Sequence, residues 1–80
     1  MHFTYVLYSE NHDRLYIGMT KDIDRRLKEH NSGKNRSTEA YIPWIMIYFE
    51  DFETAFEARQ KEIKLKSSSG RKWIRKNLME

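Results

Sequence analysis

Residues 3–18 read Phe3-Thr4-Tyr5-Val6-Leu7-Tyr8-Ser9-Glu10-Asn11-His12-Asp13-Arg14-Leu15-Tyr16-Ile17-Gly18, and they decide how the rest of the chain is read. Residues 3–8 are mostly aromatic or β-branched, side chains that pack well on a pleated strand. Ser9 to Asp13 is polar and reads as a turn, and Leu15 to Gly18 as a second strand. The two runs predict a hairpin with a loop of four or five residues. Pairing Tyr8 with Asp13 across a four-residue loop sets Tyr5 opposite Tyr16, with both side chains on one sheet face. A slip of one residue would send them to opposite faces. Apolar residues occupy both faces of both strands, so the hairpin is expected to be covered on both sides.

Downstream, Thr20 and Asp22 mark a helix start, with Asp22 and Asp24 near its positive end. The helix is predicted to run through His30. Ile23, Arg26, Leu27 and His30 fall on one stripe, so an arginine and a histidine share the face that should be apolar. Residues 31–42 show no period and read as a loop about twice the usual length, which favours a functional or mobile segment. After Pro43, Trp44 to Phe49 predicts a third strand, apolar on both faces and therefore buried. Thr54 and Glu57 form a capping box that starts a helix through about Lys66. Ala55, Ala58, Glu62 and Leu65 share its inner face. Ser67 to Gly70 breaks the chain, and residues 71–78 predict a last helix with Trp73, Ile74 and Leu78 facing in. The order is β-β-α-β-α-α, an α+β fold.

The 80 residues make one domain, 1–80, with no internal repeat. Chains of this size bury only about 60% of the surface their unfolded form exposes. The absence of cysteine excludes a disulfide framework, a thiolate zinc site and a cysteine nucleophile. Apolar residues make up 39%, and no run approaches the span of a bilayer. The first residues lack the marks of a secretory signal, so a cytoplasmic protein is expected. Lys and Arg number 15 against 12 Asp and Glu, a net charge of +3. Residues 59–78 concentrate that excess: Arg59, Lys61, Lys64, Lys66, Arg71, Lys72, Arg75 and Lys76 stand against Glu62 alone. Such a block suits a polyanion, and a solvated helix face reads equally well.

Arg26, His30 and Glu62 lie on faces that should be apolar, near two tyrosines. Burying an arginine or a glutamate without a partner costs several kcal/mol. One solution is a buried Arg26–Glu62 salt bridge, with His30 a satisfied core histidine and the tyrosines plain core aromatics. The other is a cleft floor built from Tyr5, Tyr16, Arg26, His30 and Glu62. Those types together suit phosphodiester chemistry: a carboxylate for a hard cation, an arginine fork for phosphate, and a tyrosine or histidine to move a proton. No phosphate-cradling glycine loop, serine-triad context or metal-spaced histidine set is present.

The ordered set resembles the GIY-YIG nuclease superfamily over about residues 3–78. Thr4-Tyr5 opens the first strand, Tyr16-Ile17-Gly18 follows, then Arg26 and His30 in one helix, the Asn31-Ser32-Gly33-Lys34 loop start, and Ala58 and Glu62 in a later helix. It is similar to small stand-alone bacterial members and to the nuclease module of the excision-repair incision subunit. The resemblance implies a small three-stranded antiparallel sheet flanked by helices. It implies that Tyr5 contacts or activates the attacking water, that Tyr16 orients water or phosphate, and that Gly18 lets the backbone pass close to the site. It further implies that Arg26 stabilises the phosphate, that His30 supports the site or moves a proton, and that Glu62 ligates one Mg²⁺ or Mn²⁺. The first half-motif lacks its glycine, Met19 stands where the repair enzymes carry lysine, and Asn77 is a poor match to a late asparagine of larger members.

The expectation is thus a metal-dependent DNA endonuclease, with Arg26 and the metal lowering the pKa of the tyrosine. Lys34, Arg36, Lys64, Lys66, Arg71 and Lys72 are the candidates for contacts to DNA backbone phosphates. A lone module of this size would read little sequence, and a protein partner could supply specificity. A non-catalytic nucleic-acid-binding module that keeps the scaffold is the alternative from another class, and a protein-interaction adaptor is a third.

Overall fold

The computed structural model describes residues 1–79. Strand β1 (His2–Ser9) is the middle strand of a three-stranded antiparallel sheet of order β2-β1-β3, with β2 at Arg14–Thr20 and β3 at Ile45–Phe52. Its central position explains its composition. Thr4, Tyr5, Val6 and Leu7 are all fully buried, so both faces of β1 need side chains that pack. Helix α1 (Ile23–Asn31) follows the hairpin, and α2 (Ala55–Lys66) and α3 (Ser68–Leu78) close the chain. The order and the sheet are those expected.

Two cores lie on the two faces of the sheet. Tyr5, Leu7 and Trp44 pack with Tyr16, Ile23, Leu27, Tyr41, Ile42 and Met46 under α1 and the loop after it. Val6, Ile17, Leu65 and Ile74 pack with Leu15, Ile47, Tyr48 and Leu78 under α2 and α3. A bulge in β3 opposite Val6 and Leu7 lets the consecutive Ile47 and Tyr48 serve the same core. Thr4, also on that face, donates its hydroxyl to the Ala58 carbonyl at 2.6 Å and satisfies a buried polar group.

The caps form as their sequences demand. Asp22 accepts from the Arg25 amide at the start of α1, and Thr54 accepts from the Glu57 amide at the start of α2. Ser67 ends α2 and caps α3 through the Gly70 amide, so the last helix begins at Ser68 and not at residue 71. Gly70 belongs inside it. A Cβ there would run into the carbonyl oxygens of Lys64 and Leu65, and only glycine lets α3 start so close to the end of α2.

The hairpin register differs from that expected. Tyr5 pairs with Gly18 and Tyr16 with Leu7, a slip of two positions. A slip of two keeps every side chain on its face, so Tyr5 and Tyr16 remain neighbours, now on a diagonal. The cause lies in the turn: β1 continues to Ser9, and Asp13 takes a left-handed conformation (φ 50°) just before Arg14. The third strand is an edge strand, with Ile45 and Phe49 exposed, not a buried one. Ala55 is exposed, and Trp73 keeps 42% of its surface. Trp73 packs edge-on against Tyr48 at the margin of the core, while Ile74 takes the interior.

The long loop is tethered and so departs from a mobile segment. Asn31 at the end of α1 accepts from the Trp44 amide at 2.6 Å and donates to the Trp44 carbonyl at 3.0 Å. Trp44 Nε1 donates to the Thr38 carbonyl at 3.0 Å. A short 3₁₀ turn (Glu39–Tyr41) completes it.

Candidate active site

Tyr5 reaches from the central strand across β2, where its ring lies over Gly18. A Cβ on Gly18 would sit 2.7 Å from Tyr5 Oη, 2.9 Å from its Cζ and 3.0 Å from Tyr16 Cε2. The glycine is therefore a steric requirement of the two tyrosines. Helix α1 supplies the next two groups one turn apart. Arg26 Nε donates to Tyr5 Oη at 3.3 Å, and His30 Nε2 lies 3.0 Å from the same oxygen. The Tyr16 ring stacks obliquely on His30, with centroids 4.7 Å apart. The four side chains named from sequence around this cleft, Tyr5, Tyr16, Arg26 and His30, are thus brought together.

Hydrogen-bond directions follow from what each group can do. A guanidinium only donates, so Tyr5 Oη accepts from Arg26 and has its own proton to give. His30 Nε2 is the partner within reach of that proton. On the far side of the ring, His30 Nδ1 lies 2.9 Å from Thr38 Oγ1, and the Thr38 hydroxyl lies 3.3 Å from the Asn35 carbonyl. His30, Tyr5 and Thr38 are all fully buried.

Burial dominates the electrostatics. It pushes the Tyr5 hydroxyl up to about 12, while the Arg26 hydrogen bond opposes the rise and the Tyr16 and Glu62 charges add to it. Arg26 lowers this tyrosine through its hydrogen bond and its charge, in the direction expected of it, but desolvation outweighs the guanidinium acting alone. Arg26 is held still more firmly charged, chiefly by its bond to Tyr5. Burial, then the Arg26 charge, pulls His30 below its ordinary value, with Glu29 acting weakly the other way.

Arg26 does not pair with Glu62. Its Nη1 donates to Glu29 Oε1 at 3.2 Å, and Glu29 also receives Arg25 Nε at 3.3 Å. The hydrogen bond from Arg26 holds the Glu29 carboxyl below the usual range. Glu62 stands on the inner side of α2 between Ala58 and Leu65 with 13% of its side chain exposed. It takes Lys66 Nζ at 3.3 Å and Arg59 Nε at 3.6 Å. Its charge reaches Tyr5 as the smallest of the five causes acting there. It lies within the field of the site without a bond to it.

Among the described residues no three His, Cys, Asp or Glu side chains gather to cage a metal. A single carboxylate nevertheless fits Mg²⁺ or Mn²⁺, because Mg²⁺ keeps several waters and shares the substrate's phosphate oxygens. It does not fit a closed zinc-type site.

The cations divide. Lys34 and Arg36 share one open groove with Arg26, Glu29 and Asn35. Lys64 lies elsewhere, in a depression with Lys61, Leu65, Ser69, Gly70 and Trp73. Lys66 is engaged by Glu62, Arg71 Nε donates to the Lys66 carbonyl, and Lys72 is exposed on α3. Arg75 joins α3 to the hairpin turn through Asp13 at 3.0 Å. Two residues of the site escaped the sequence reading. Glu29 stood three and four positions after the two arginines, a spacing that could have been read as helix pairs. Thr38 left no signal, because its loop has no period.

A family model described as the GIY-YIG catalytic domain matches residues 1–77. The chain belongs to the GIY-YIG family. The family is generally one of endonucleases that act on DNA and typically use divalent metals. A UPF0213 protein of Bacillus velezensis is 43% identical over 72 residues, covering 89% of this chain and 72% of that one. A UPF0213 protein of Haloquadratum walsbyi is 34% identical over 67 residues, covering 82% and 74%. The solution NMR structure of a UPF0213 protein from Bacillus halodurans superposes with a TM-score of 0.55 at 30% identity, covering 91% of this chain and 80% of that one. The names of these relatives state no activity. No helix among the described residues is long and apolar enough to cross a membrane.

Proposed function

We propose that residues 1–80 act as a single divalent-metal-dependent endonuclease domain that hydrolyses phosphodiester bonds in DNA, working in the cytoplasm. The observation that carries this reading is the continuous chain Arg26 Nε, Tyr5 Oη, His30 Nε2 laid over Gly18. Such a chain suits a hydrolase whose nucleophile is water.

In this reading a water attacks phosphorus as the bond to the leaving oxygen breaks. Tyr5 takes the water's proton on Oη while passing its own to His30 Nε2. The tyrosine thus never has to exist as tyrosinate beforehand, and a hydroxyl pushed up to about 12 is no obstacle. His30 enters neutral, because burial and Arg26 hold it below its ordinary value, and for the same reason it gives the proton up to solvent readily afterwards. Tyr16 orients the imidazole and the water. Arg26 spends Nε on Tyr5 and Nη1 on Glu29, which leaves Nη2 for a phosphate oxygen. Glu62 would hold the Mg²⁺ or Mn²⁺, which supplies Lewis acidity toward the phosphate and the leaving oxygen. Lys34 and Arg36, in one groove with Arg26, guide the DNA backbone, and Lys64, Lys66, Arg71 and Lys72 would meet it separately on α2 and α3. Contacts of this kind carry little sequence information, so a protein partner would supply specificity.

The test is a cleavage assay on labelled nicked, branched, duplex and single-stranded DNA with Mg²⁺, Mn²⁺ or chelator, comparing wild type with Glu62→Ala. Metal-dependent nicking that disappears in the variant, with folding and salt-sensitive binding retained, is expected. Salt-sensitive binding by both proteins with cutting by neither would instead make the chain a nucleic-acid-binding module.

A further inference from the structure

We infer that Thr38, in the loop between α1 and β3, is a positioning residue that, together with the Arg26–Tyr5 bond on the other side of the ring, fixes the tautomer of His30 and so presents an unprotonated Nε2 to Tyr5. Its consequence for catalysis rests on the nuclease reading; the tautomer itself does not.

Counting protons in the buried cluster decides between the two arrangements. With the proton on Nδ1, Arg26 donates to Tyr5, Tyr5 to His30 Nε2, His30 Nδ1 to Thr38 Oγ1, and Thr38 to the Asn35 carbonyl. Every donor then has an acceptor. With the proton on Nε2, His30 and Arg26 both donate to Tyr5 Oη. The Thr38 hydroxyl turns to Nδ1, and the Tyr5 proton is left without an acceptor among the described residues. Tyr5 is fully buried in the free protein, so bulk solvent does not accept that proton, and the attacking water of the nuclease reading meets Oη as a proton donor. An unmet buried donor is disfavoured, so the Nδ1–H form is the one populated.

Thr38 can do this because its backbone is held independently of its hydroxyl. Its amide donates to the Asn35 carbonyl at 3.1 Å, and its carbonyl accepts the indole of Trp44. With its proton on the Asn35 carbonyl, the hydroxyl presents a lone pair to Nδ1. Around the ring, Tyr5 comes from β1, Tyr16 from β2, and Arg26 and Glu29 from α1. None of them offers Nδ1 an alternative acceptor. The long loop, unreadable from sequence, then has a purpose: it carries the group that sets the direction of the proton path.

The experiment is long-range ¹H–¹⁵N correlation NMR of histidine-labelled full-length protein, with His30 assigned by its absence in His30→Gln. Wild type is expected to show the Nδ1–H pattern. Thr38→Val, similar in shape and lacking the acceptor, leaves one donor unmet in either tautomer and is expected to replace the single Nδ1–H pattern with a mixture that includes Nε2–H. In the cleavage assay kcat should fall on the order of tenfold to a hundredfold with KM little changed, as for loss of a positioned proton acceptor. Thr38→Ser should restore both readouts. An Nε2–H pattern in wild type overturns the inference without any variant, as does an unchanged Nδ1–H pattern in folded Thr38→Val. If the tautomer follows Thr38 while wild type cuts no DNA, the inference stands and the nuclease reading falls.

Discussion

Replacing Gly18 with alanine adds one methyl at the point where the two tyrosines cross β2. Gly18 does not take a left-handed backbone, unlike Gly33 at φ 81°, so alanine meets no backbone strain there. In a strand the change should otherwise help by about 0.5–1 kcal/mol through lost unfolded-state entropy. The methyl, however, would stand 2.7 Å from Tyr5 Oη, and ordinary carbon contacts begin near 3.4 Å. The hydroxyl must yield by about 0.7 Å to restore a normal separation. Tyr5 is fully buried, so the displaced ring must push on packed neighbours, at a cost of about 1–3 kcal/mol for overpacking. The net expectation is a loss of roughly 1–2 kcal/mol, with a melting temperature lower by about 4–8 °C per kcal/mol.

The effect on activity should be larger, because the oxygen that must move is the one on which the 3.3 Å and 3.0 Å bonds of Arg26 and His30 converge. Misplacement approaching 1 Å costs about a hundredfold in rate. Thermal unfolding by circular dichroism and single-turnover nicking measure the two effects. A second arm separates sterics from chemistry. In Gly18→Ala with Tyr5→Phe the closest contact is gone, although the one to Cζ remains, so part of the stability should return while cleavage stays lost. Gly18→Ala with wild-type melting and cleavage would refute the claim that this glycine is kept for Tyr5.

Three other outcomes are expected. His30 should titrate below 6.5 when its C2 proton is followed by NMR, because burial and Arg26 disfavour its charged form. A depressed histidine leaves stability complete above the unfolded value of 6.5 and lowers it as pH falls toward the folded value, and cleavage should show its acid limb in that same window; titration at or above 6.5 would contradict the relay. Gly70→Ala should destabilise by the upper end of the ~1–3 kcal/mol overpacking range or more, read by urea unfolding, because the obstacles are backbone carbonyls that cannot swing aside. Lys34→Ala with Arg36→Ala should weaken DNA binding equally for all sequences and flatten the salt dependence by about one unit of log–log slope per lost phosphate contact, while Lys76→Ala serves as a distant control.

The elements most legible in the sequence were those specified locally. The cap at Thr54 and the aromatic run of β1 depend on residues within a few positions of one another, and both formed where read, although Glu57 Oε1 takes the Thr54 hydroxyl and not its amide. The hairpin register was less legible because a four-residue turn can sit at two places, and a left-handed Asp13 decides between them. Pattern could still place Tyr5 and Tyr16 on one face, because parity survives a slip of two. Trp73 was read inward from its spacing, but helix packing put Ile74 in the core and left the larger ring at the rim beside Lys61. Thr38 and Asn31 act only through contacts closed by the tertiary fold, and nothing local announces them.

The ion pair that does not form, Arg26 with Glu62, bears most directly on how such a site can work. A buried bridge between Arg26 and Glu62 would have matched the guanidinium meant for phosphate with the carboxylate meant for a cation. Breaking it would have cost about 3–5 kcal/mol before any substrate bound. The fold instead gives each a separate counterion near solvent. Arg26 is met by Glu29, whose side chain is 28% exposed, and Glu62 by Arg59 and Lys66, exposed by 66% and 51%. Pairs of that kind are worth about 0–1 kcal/mol each, so a phosphate or a divalent cation displaces them at little cost. Glu29 also takes Nη1 in place and leaves the guanidinium edge oriented, with Nε fixed on Tyr5. Keeping the two charges apart by weak, wet partners leaves both available for a ligand that brings charge of each sign at once, as a metal-bound phosphodiester does.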